Sequence, residues 1–255
     1  MNLIEEKFDQ LKEKGEKAFI GYVTFGYPSF VETLDFINIV YSYVDILEIG
    51  FPFSDPIADG EIIQKASVKA LSEGVKLNDL FRSLGHIKKD KPIVLMLYAN
   101  LVHRMGEDNF YKLCELNGVD GIIIPDVPYE ESFQFRQAAD KHHVVYIDLV
   151  SVSSLERAKT IAIKSQGFLY CVSRKGVTGF KGEMDDKLHI FLKELRKVTT
   201  TPLVVGFGIK NTNDVLKIKD LVDGVVIGSA IIAKMDEGKE QLENFLKEIR
   251  YVLKN

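Results

Sequence analysis

The chain has 255 residues, of which 46% are hydrophobic and 27% charged, a composition typical of a globular protein with a full core. Its 33 basic and 37 acidic side chains give a net charge of −4, which excludes the strongly basic class of nucleic-acid-binding proteins. The start of the chain lacks the apolar run of a signal peptide, and no segment approaches the ~20 apolar residues of a membrane span. The two cysteines, Cys114 and Cys171, indicate neither a disulfide nor a metal site, so we expect a cytoplasmic protein.

The predicted elements begin with a short helix in which Ile4, Phe8 and Leu11 form one apolar stripe. Eight short apolar runs rich in β-branched residues follow, and each predicts a buried parallel strand. In chain order these runs are 18–24, 44–49, 93–98, 121–124, 144–149, 168–172, 203–206 and 224–227. Segments with the apolar spacing of an amphipathic helix lie between them, so the chain consists of successive βα units.

Eight strands that alternate with helices form either an open doubly wound sheet or a closed barrel. Because the eight units follow one another without a break in composition, we favour the α/β class with a single (β/α)8 TIM barrel and an extra N-terminal helix. That helix is expected to cover the N-terminal mouth of the barrel and shield its core from water. No linker or low-complexity tract divides the sequence, so residues 1–255 are predicted to form one catalytic domain.

The second predicted strand contains an acidic residue, Glu48, among apolar neighbours. Alternation along the strand puts Ile46 and Glu48 on the same face, and both faces of such a strand are expected to be buried. Burial would raise the pKa of the carboxyl group and let it give and accept a proton near neutral pH. The alternative is a structural glutamate paired with a lysine or arginine. Because barrel active sites lie at the carboxyl ends of the strands, Glu48 is a candidate catalytic residue.

A loop with two prolines and two aspartates, residues 51–60, follows this strand. Asp59 lies just before a helix that is predicted to begin near Glu61. At this position its carboxylate would either cap the helix or take part in catalysis, and the two roles are compatible.

Three glycine-rich turns follow the predicted strands six, seven and eight, at 176–179, 206–208 and 228–229. Backbone amides at glycines approach an anion closely, and a helix N-terminus adds a favourable dipole. The loops after the seventh and eighth strands of such barrels commonly hold phosphate. The turns therefore predict a small phosphorylated ligand.

Five segments of the sequence, taken in order, resemble the signature segments of the tryptophan synthase alpha subunit family. They are residues 47–60, 98–101, 125–132, 173–179 and 206–209. The resemblance extends from about residue 19 to the last helix. Its most specific part is the first segment, whereas the glycine turns are common to many phosphate-binding barrels.

The resemblance implies a lyase that cleaves indole-3-glycerol phosphate by a retro-aldol reaction to indole and glyceraldehyde 3-phosphate. Glu48 matches the acid–base carboxylate of this reaction, and Asp59 matches the aspartate that hydrogen-bonds the indole nitrogen. The other matched positions are the substrate-binding residues Tyr22, Leu97, Tyr98, Tyr170 and Thr178, and the phosphate-binding residues Gly179, Gly208, Gly228 and Ser229.

The resemblance also implies a partner, a beta subunit that receives the indole within an alpha2beta2 heterotetramer. No metal or cofactor is expected in this chain, and pyridoxal phosphate is expected only in the beta subunit. The partner would dock on the loops after strands two and three and on residues 125–132. One departure concerns Tyr22, which brings a hydroxyl group where phenylalanine is common in the family and which therefore needs a polar partner if buried.

Two other hypotheses remain at this stage. One is a stand-alone indole-glycerol-phosphate lyase or another phosphate-binding barrel enzyme, such as indole-glycerol phosphate synthase or a Schiff-base aldolase that uses Lys175. The other is an accessory subunit that activates a partner and performs little chemistry itself. The presence of both Glu48 and Asp59 argues against the accessory subunit.

Overall fold

The strands of the computed structural model, which describes residues 2–172, 183–206 and 208–255, all belong to one parallel sheet. Within those ranges the strands are β1 (Ala18–Thr24), β2 (Ile46–Gly50), β3 (Ile93–Met96), β4 (Gly121–Ile123), β5 (Val145–Tyr146), β6 (Asp148–Ser151), β7 (Leu169–Val172), β8 (Leu203–Gly206) and β9 (Gly224–Ile227).

The sheet closes on itself at the predicted fifth strand. The strand order is β5-β4-β3-β2-β1-β9-β8-β7-β6, so β5 and β6 are its two edges. Only Ile147 separates them along the chain, and its backbone N–H donates to the carbonyl oxygen of Ile122 at 2.9 Å. One continuous run of residues therefore pairs first with β4 and then with β7. This closure confirms the predicted (β/α)8 barrel and is incompatible with an open doubly wound sheet.

Helices surround the barrel. The described helices are α1 (Leu3–Glu13), α2 (Thr33–Tyr43), α3 (Glu61–Ser72), α4 (Leu77–Leu84), α5 (Ala99–Met105), α6 (Glu107–Leu116), α7 (Phe133–Lys141), α8 (Leu155–Ala162), α9 (Glu183–Arg196), α10 (Thr212–Ile218), α11 (Ser229–Glu237) and α12 (Lys239–Lys254). Gly74 and Gly118 follow α3 and α6 with φ of +77° and +64°, the left-handed conformation that commonly ends a helix. Among the residues that the structure describes, no helix is long and apolar enough to span a membrane.

Buried apolar side chains form two clusters, one between the strands and the helices and one inside the barrel. Alternation along the strands divides the residues between these clusters because successive side chains point to opposite faces. On β2, Leu47 and Ile49 belong to the outer cluster and Ile46 belongs to the inner one. The same alternation directs Glu48 into the barrel.

Helix α1 closes the N-terminal mouth of the barrel, as its apolar stripe predicted. Ile4, Phe8 and Leu11 are buried in the inner cluster. The ring of Phe8 lies 5.9 Å from that of Phe168, between centroids. At Gly121, the first residue of β4, a Cβ atom would lie 2.9 Å from Cδ1 of Ile4, so the helix approaches the strand starts closely.

Candidate active site

Glu48 is a buried carboxyl group inside the barrel, in register with Tyr22 on β1 and Val94 on β3. Its exposed fraction is 1%, and neither carboxylate oxygen has a hydrogen-bond partner among the described residues. Burial, with a smaller contribution from the negative charge of Asp59, raises the pKa of Glu48 to about 8. Within the described ranges no lysine or arginine pairs with Glu48, so the structural ion-pair hypothesis finds no support there.

Asp59 is partly buried in the loop that follows β2. The hydroxyl group of Tyr98 donates to its Oδ2 at 3.1 Å and accepts the backbone N–H of Ala58 at 3.1 Å. Burial raises the pKa of Asp59 to about 6, against the opposing effect of the Tyr98 hydrogen bond. Helix α3 begins at Glu61 as predicted, but its N-cap is Gly60 and no side chain caps it. The alternative in which Asp59 caps this helix is therefore excluded, because its carboxylate bonds to Tyr98 instead.

The two carboxyl groups have different protonation states at neutral pH. With a pKa of about 8, Glu48 is mainly protonated at pH 7, whereas Asp59, with a pKa of about 6, is mainly ionised. The negative charge on Asp59 contributes to this difference because it disfavours a second negative charge on Glu48. The site therefore combines a proton donor with a fixed anion, which is how pairs of carboxyl groups divide acid and electrostatic roles.

Two tyrosines of the barrel interior, Tyr22 on β1 and Tyr170 on β7, lie beside these carboxyl groups. Burial raises the pKa of both hydroxyl groups, and the charges of Glu48 and Asp59 raise them further. Each hydroxyl group lies directly over a glycine of the next strand. A Cβ atom at Gly50 would be 2.1 Å from the Tyr22 oxygen, and a Cβ atom at Gly206 would be 2.3 Å from the Tyr170 oxygen. A side chain at either position would therefore displace the tyrosine.

Comparison with known proteins decides the family. The sequence model of the family described as "Tryptophan synthase alpha chain" matches residues 8–255. The chain belongs to this family. It is 70% identical over 255 residues to the tryptophan synthase alpha chain of Caldicellulosiruptor bescii, with 100% of both chains covered. It is also 63% identical to that of Caldicellulosiruptor saccharolyticus, over 99% of this chain and 100% of the relative.

A solved structure agrees with the sequence match. The structure of Mycobacterium tuberculosis tryptophan synthase is similar to this chain with a TM-score of 0.93 and 30% sequence identity, and the match covers 100% of this chain and 99% of that chain. The barrel described above is therefore the fold of the tryptophan synthase alpha chain family.

The predicted phosphate-binding positions follow β8 and β9. Gly208 has a φ of +86°, which favours glycine. Gly228 is the N-cap of α11 and Ser229 its first residue, so both contribute to a helix N-terminus. This terminus lies against the site, because a Cβ atom at Gly228 would be 3.1 Å from Cδ1 of Tyr22. The fourth predicted phosphate-binding position, Gly179, and the predicted substrate-binding residue Thr178 are outside the described residues.

Leu97 does not line the site, so that prediction is wrong. Its side chain is fully buried in the outer cluster, between the strands and the helices. Alternation along β3 directs Val94 and Met96 into the barrel instead. Met96 is therefore the residue that sequence reasoning missed, and its position two residues before Tyr98 is the signal that would have identified it.

The Tyr22 hydroxyl group finds the polar partner that its burial requires. Thr24 Oγ1 donates to it at 3.4 Å, a long bond between residues two apart on the same strand.

Sequence reasoning also missed a group of partly buried apolar residues that pack against the inner cluster at its C-terminal side. These are Ala58, Ile63, Leu149 and Val172. They lie in or after the carboxyl ends of strands, which was the available signal.

Proposed function

We propose that residues 1–255 form one catalytic domain in which Glu48 is the acid–base group and Asp59 the electrostatic stabiliser for cleavage of indole-3-glycerol phosphate to indole and glyceraldehyde 3-phosphate. The observation that carries the assignment is Glu48 itself. It is a buried carboxyl group that has no hydrogen-bond partner among the described residues, and its pKa is raised to about 8. In a chain of the tryptophan synthase alpha family, this is the group best suited to exchange protons with the substrate.

The reaction needs two proton transfers, and one carboxyl group can perform both. Protonated Glu48 donates its proton to the indole ring carbon that bears the side chain, and the ring becomes a cation. The resulting Glu48 carboxylate removes the proton from the hydroxyl group on the adjacent side-chain carbon. The carbon–carbon bond then breaks, its electron pair returns to the ring, and indole and the aldehyde form. Glu48 ends the cycle protonated, as it began.

Asp59 stabilises the charge that develops between these steps. When the ring carbon accepts its proton, positive charge appears at the ring nitrogen, and the ionised carboxylate of Asp59 would accept a hydrogen bond from that N–H group. Removal of one preorganised oxyanion-hole donor from an active site costs about 2.7–4 kcal/mol, and we expect Asp59 to contribute on the same scale. Because the protonated ring itself accepts the electron pair, the cleavage requires no cofactor bound to this chain.

The substrate would be held at both ends. Backbone amides at Gly208, Gly228 and Ser229, together with the N-terminus of α11, support a phosphate site, and Gly179 is proposed to join them. Aromatic side chains would hold the indole ring, and the proposed pocket residues are Tyr22, Met96, Tyr98 and Tyr170, with Thr178 as a contact to Asp59.

The product and the family support a partner. Indole would pass to a tryptophan synthase beta subunit within an alpha2beta2 heterotetramer, and pyridoxal phosphate would be bound there. The proposed docking surface consists of the loops after β2 and β3 and residues 125–132. Ile57, in the first of these loops, and Phe133, next to residues 125–132, are 61% and 71% exposed, which supports contact with another chain. A biosynthetic role in tryptophan formation also supports a cytoplasmic location.

The deciding experiment measures indole formation from indole-3-glycerol phosphate by the chain, alone and with a beta subunit. We expect indole in both cases, and we expect Glu48→Gln to lower turnover about 10²–10⁴-fold. Substrate binding by this variant should persist; tyrosine fluorescence can report it because the chain has no tryptophan. Wild-type turnover in Glu48→Gln would remove the assigned role. No indole from the wild-type chain in either case would favour an accessory subunit.

A separate test addresses the Schiff-base alternative. Reduction with borohydride in the presence of substrate traps an imine between a lysine and a carbonyl compound. We expect no covalent adduct. An adduct at Lys175 would replace the Glu48 mechanism with an aldolase mechanism.

A further inference from the structure

Asp126, in the loop after β4, holds the beginning of helix α5. Its carboxylate accepts the backbone N–H of Ala99 through Oδ1 at 3.0 Å and through Oδ2 at 3.3 Å. Ala99 is the first residue of α5, and its N-cap residue, Tyr98, makes no side-chain capping bond. The N–H groups of the first helical turn have no acceptor within the helix and need one from elsewhere. Here a residue 27 positions further along the chain supplies that acceptor.

The side chain of Tyr98 is held at its other end by the loop after β2. Its ring stacks on Phe53 with a centroid distance of 4.6 Å and an angle of 15° between the planes. Its hydroxyl group bonds both to the carboxylate of Asp59 and to the N–H of Ala58. Tyr98 therefore connects the start of α5 to Asp59. The position of its hydroxyl group depends on the backbone that Asp126 fixes.

We infer that Asp126 is a positioning residue for the cleavage reaction, because it holds the start of α5 where the Tyr98 hydroxyl group can bond to Asp59. Asp126 acts through Tyr98 and needs no contact with the substrate. The inference rests on the proposed function, since only a reaction that uses the Asp59 carboxylate makes the position of this hydroxyl group matter for the rate.

The predicted consequence is a change in the protonation of Asp59. The Tyr98 hydrogen bond lowers the pKa of Asp59, in opposition to burial, and the net value is about 6. Loss of the bond therefore raises this pKa, so activity is lost at a higher pH on the acidic side. The other titratable groups whose charges interact with Asp59 are Glu48 on β2, Tyr22 on β1 and Tyr170 on β7. The charge of Asp126 acts on Tyr98, and the neutral Asp126→Asn variant separates this charge effect from the bond to Ala99.

The test is the pH dependence of kcat/KM for indole formation, which reports the pKa values of the free enzyme. Asp126→Ala and Tyr98→Phe are each expected to move the acidic limb of the profile upward by roughly half to one pH unit. Asp126→Asn keeps an oxygen that can accept the Ala99 N–H, so it should restore the wild-type limb. Since Asp126 is inferred to act only through Tyr98, the double variant should shift the limb no further than Tyr98→Phe alone.

The matched control lies at the opposite end of β4. Asp120 Oδ2 accepts the backbone N–H of Ile93 at 2.8 Å, so Asp120→Ala removes a comparable carboxylate bond at the other end of the same strand. This variant should lower the melting temperature without moving the acidic limb. Should Asp126→Ala not fold, Asp126→Glu keeps the charge but lengthens the side chain, and we expect it to show the same upward shift.

Three outcomes would overturn the inference. One is an acidic limb that stays in place in Asp126→Ala or, should that variant not fold, in Asp126→Glu. Another is a double variant whose shift is the sum of the two single shifts. The third is a wild-type chain that forms no indole with or without a beta subunit, which would overturn the proposed function as well. An active wild-type chain with an unmoved limb overturns the positioning role alone.

Discussion

The two ends of the barrel interior are built by the same side-chain alternation but differ in chemistry. At the N-terminal end, Ile4 and Phe8 of α1 complete an apolar cluster. Towards the C-terminal end, Glu48 occupies an equally buried position two residues after Ile46, on the same face of β2. One end thus stabilises the fold, whereas the other carries a polar group whose burial costs stability. The comparison indicates that this cost is tolerated because the group is chemically useful.

The sharpest test of that cost is the pH dependence of stability. An unfolded glutamate ionises near its ordinary pKa of 4.5, whereas folded Glu48 stays protonated until about pH 8. The folded state binds more protons between these values, so the free energy of unfolding should fall as pH rises through this window. We expect Glu48 to account for a loss on the order of 4 kcal/mol between the two pKa values.

Urea unfolding at pH 5 and pH 9 measures this loss. Glu48→Gln should largely remove the Glu48 part of the pH dependence, whereas Glu61→Gln, on an exposed side chain, should keep it. Equal pH dependence in the wild-type chain and in Glu48→Gln would show that Glu48 is ionised in the folded protein.

A substitution at the N-terminal end of the barrel should lower stability but leave turnover unchanged. Phe8→Ala removes a buried ring from the inner cluster and is expected to lower the free energy of unfolding by about 3–5 kcal/mol. Turnover by the folded fraction should be unchanged, because the ring lies at the N-terminal mouth of the barrel and packs against Phe168 rather than against the two carboxyl groups. The control is Leu3→Ala in the same helix, which is 55% exposed and should have little effect on stability. A selective loss of turnover in Phe8→Ala would contradict the division between the two ends.

Asp59→Asn tests the charge at the catalytic end. An asparagine keeps an oxygen for the Tyr98 hydroxyl group but carries no negative charge. The activation free energy of cleavage should therefore rise by about 2–4 kcal/mol, and turnover should fall accordingly. The wild-type pH–rate profile should be bell-shaped, with limbs near the pKa values of about 6 for Asp59 and about 8 for Glu48. The variant should lack the acidic limb. A large drop in its melting temperature with unchanged turnover would assign Asp59 a structural role.

The smallest expected effect comes from a buried polar group outside the site. The hydroxyl group of Tyr111, on α6, is buried and has no hydrogen-bond partner in the part of the chain that the structure describes. Tyr111→Phe should therefore change stability by less than about 1 kcal/mol, in the stabilising direction. Tyr41→Phe is the matched control, because that hydroxyl group accepts the Lys91 N–H at 2.8 Å and its removal should destabilise. A marked destabilisation by Tyr111→Phe would mean that its hydroxyl group has a partner.

Much of the fold followed from local pattern. The strands, the start of α3 at Glu61 and the apolar stripe of α1 were predicted from periodicity and were confirmed. The break in the fifth strand at Ile147 was not predicted, since each half pairs with a different neighbour and the run of apolar residues is continuous. Leu97 was wrongly assigned because a match by position ignored the alternation that directs Met96 inward.

What the sequence alone determined is the direction of each strand side chain and the chemical type of the groups that face inward. Alternation is a local property of an extended chain, and it is sufficient to direct Glu48 to the same face as Ile46. Only the tertiary structure decided which groups meet. The bonds from Tyr98 to Asp59 and from Ala99 to Asp126 join residues 39 and 27 positions apart. Such contacts depend on which strands are neighbours in the closed sheet, and that is a property of the whole barrel.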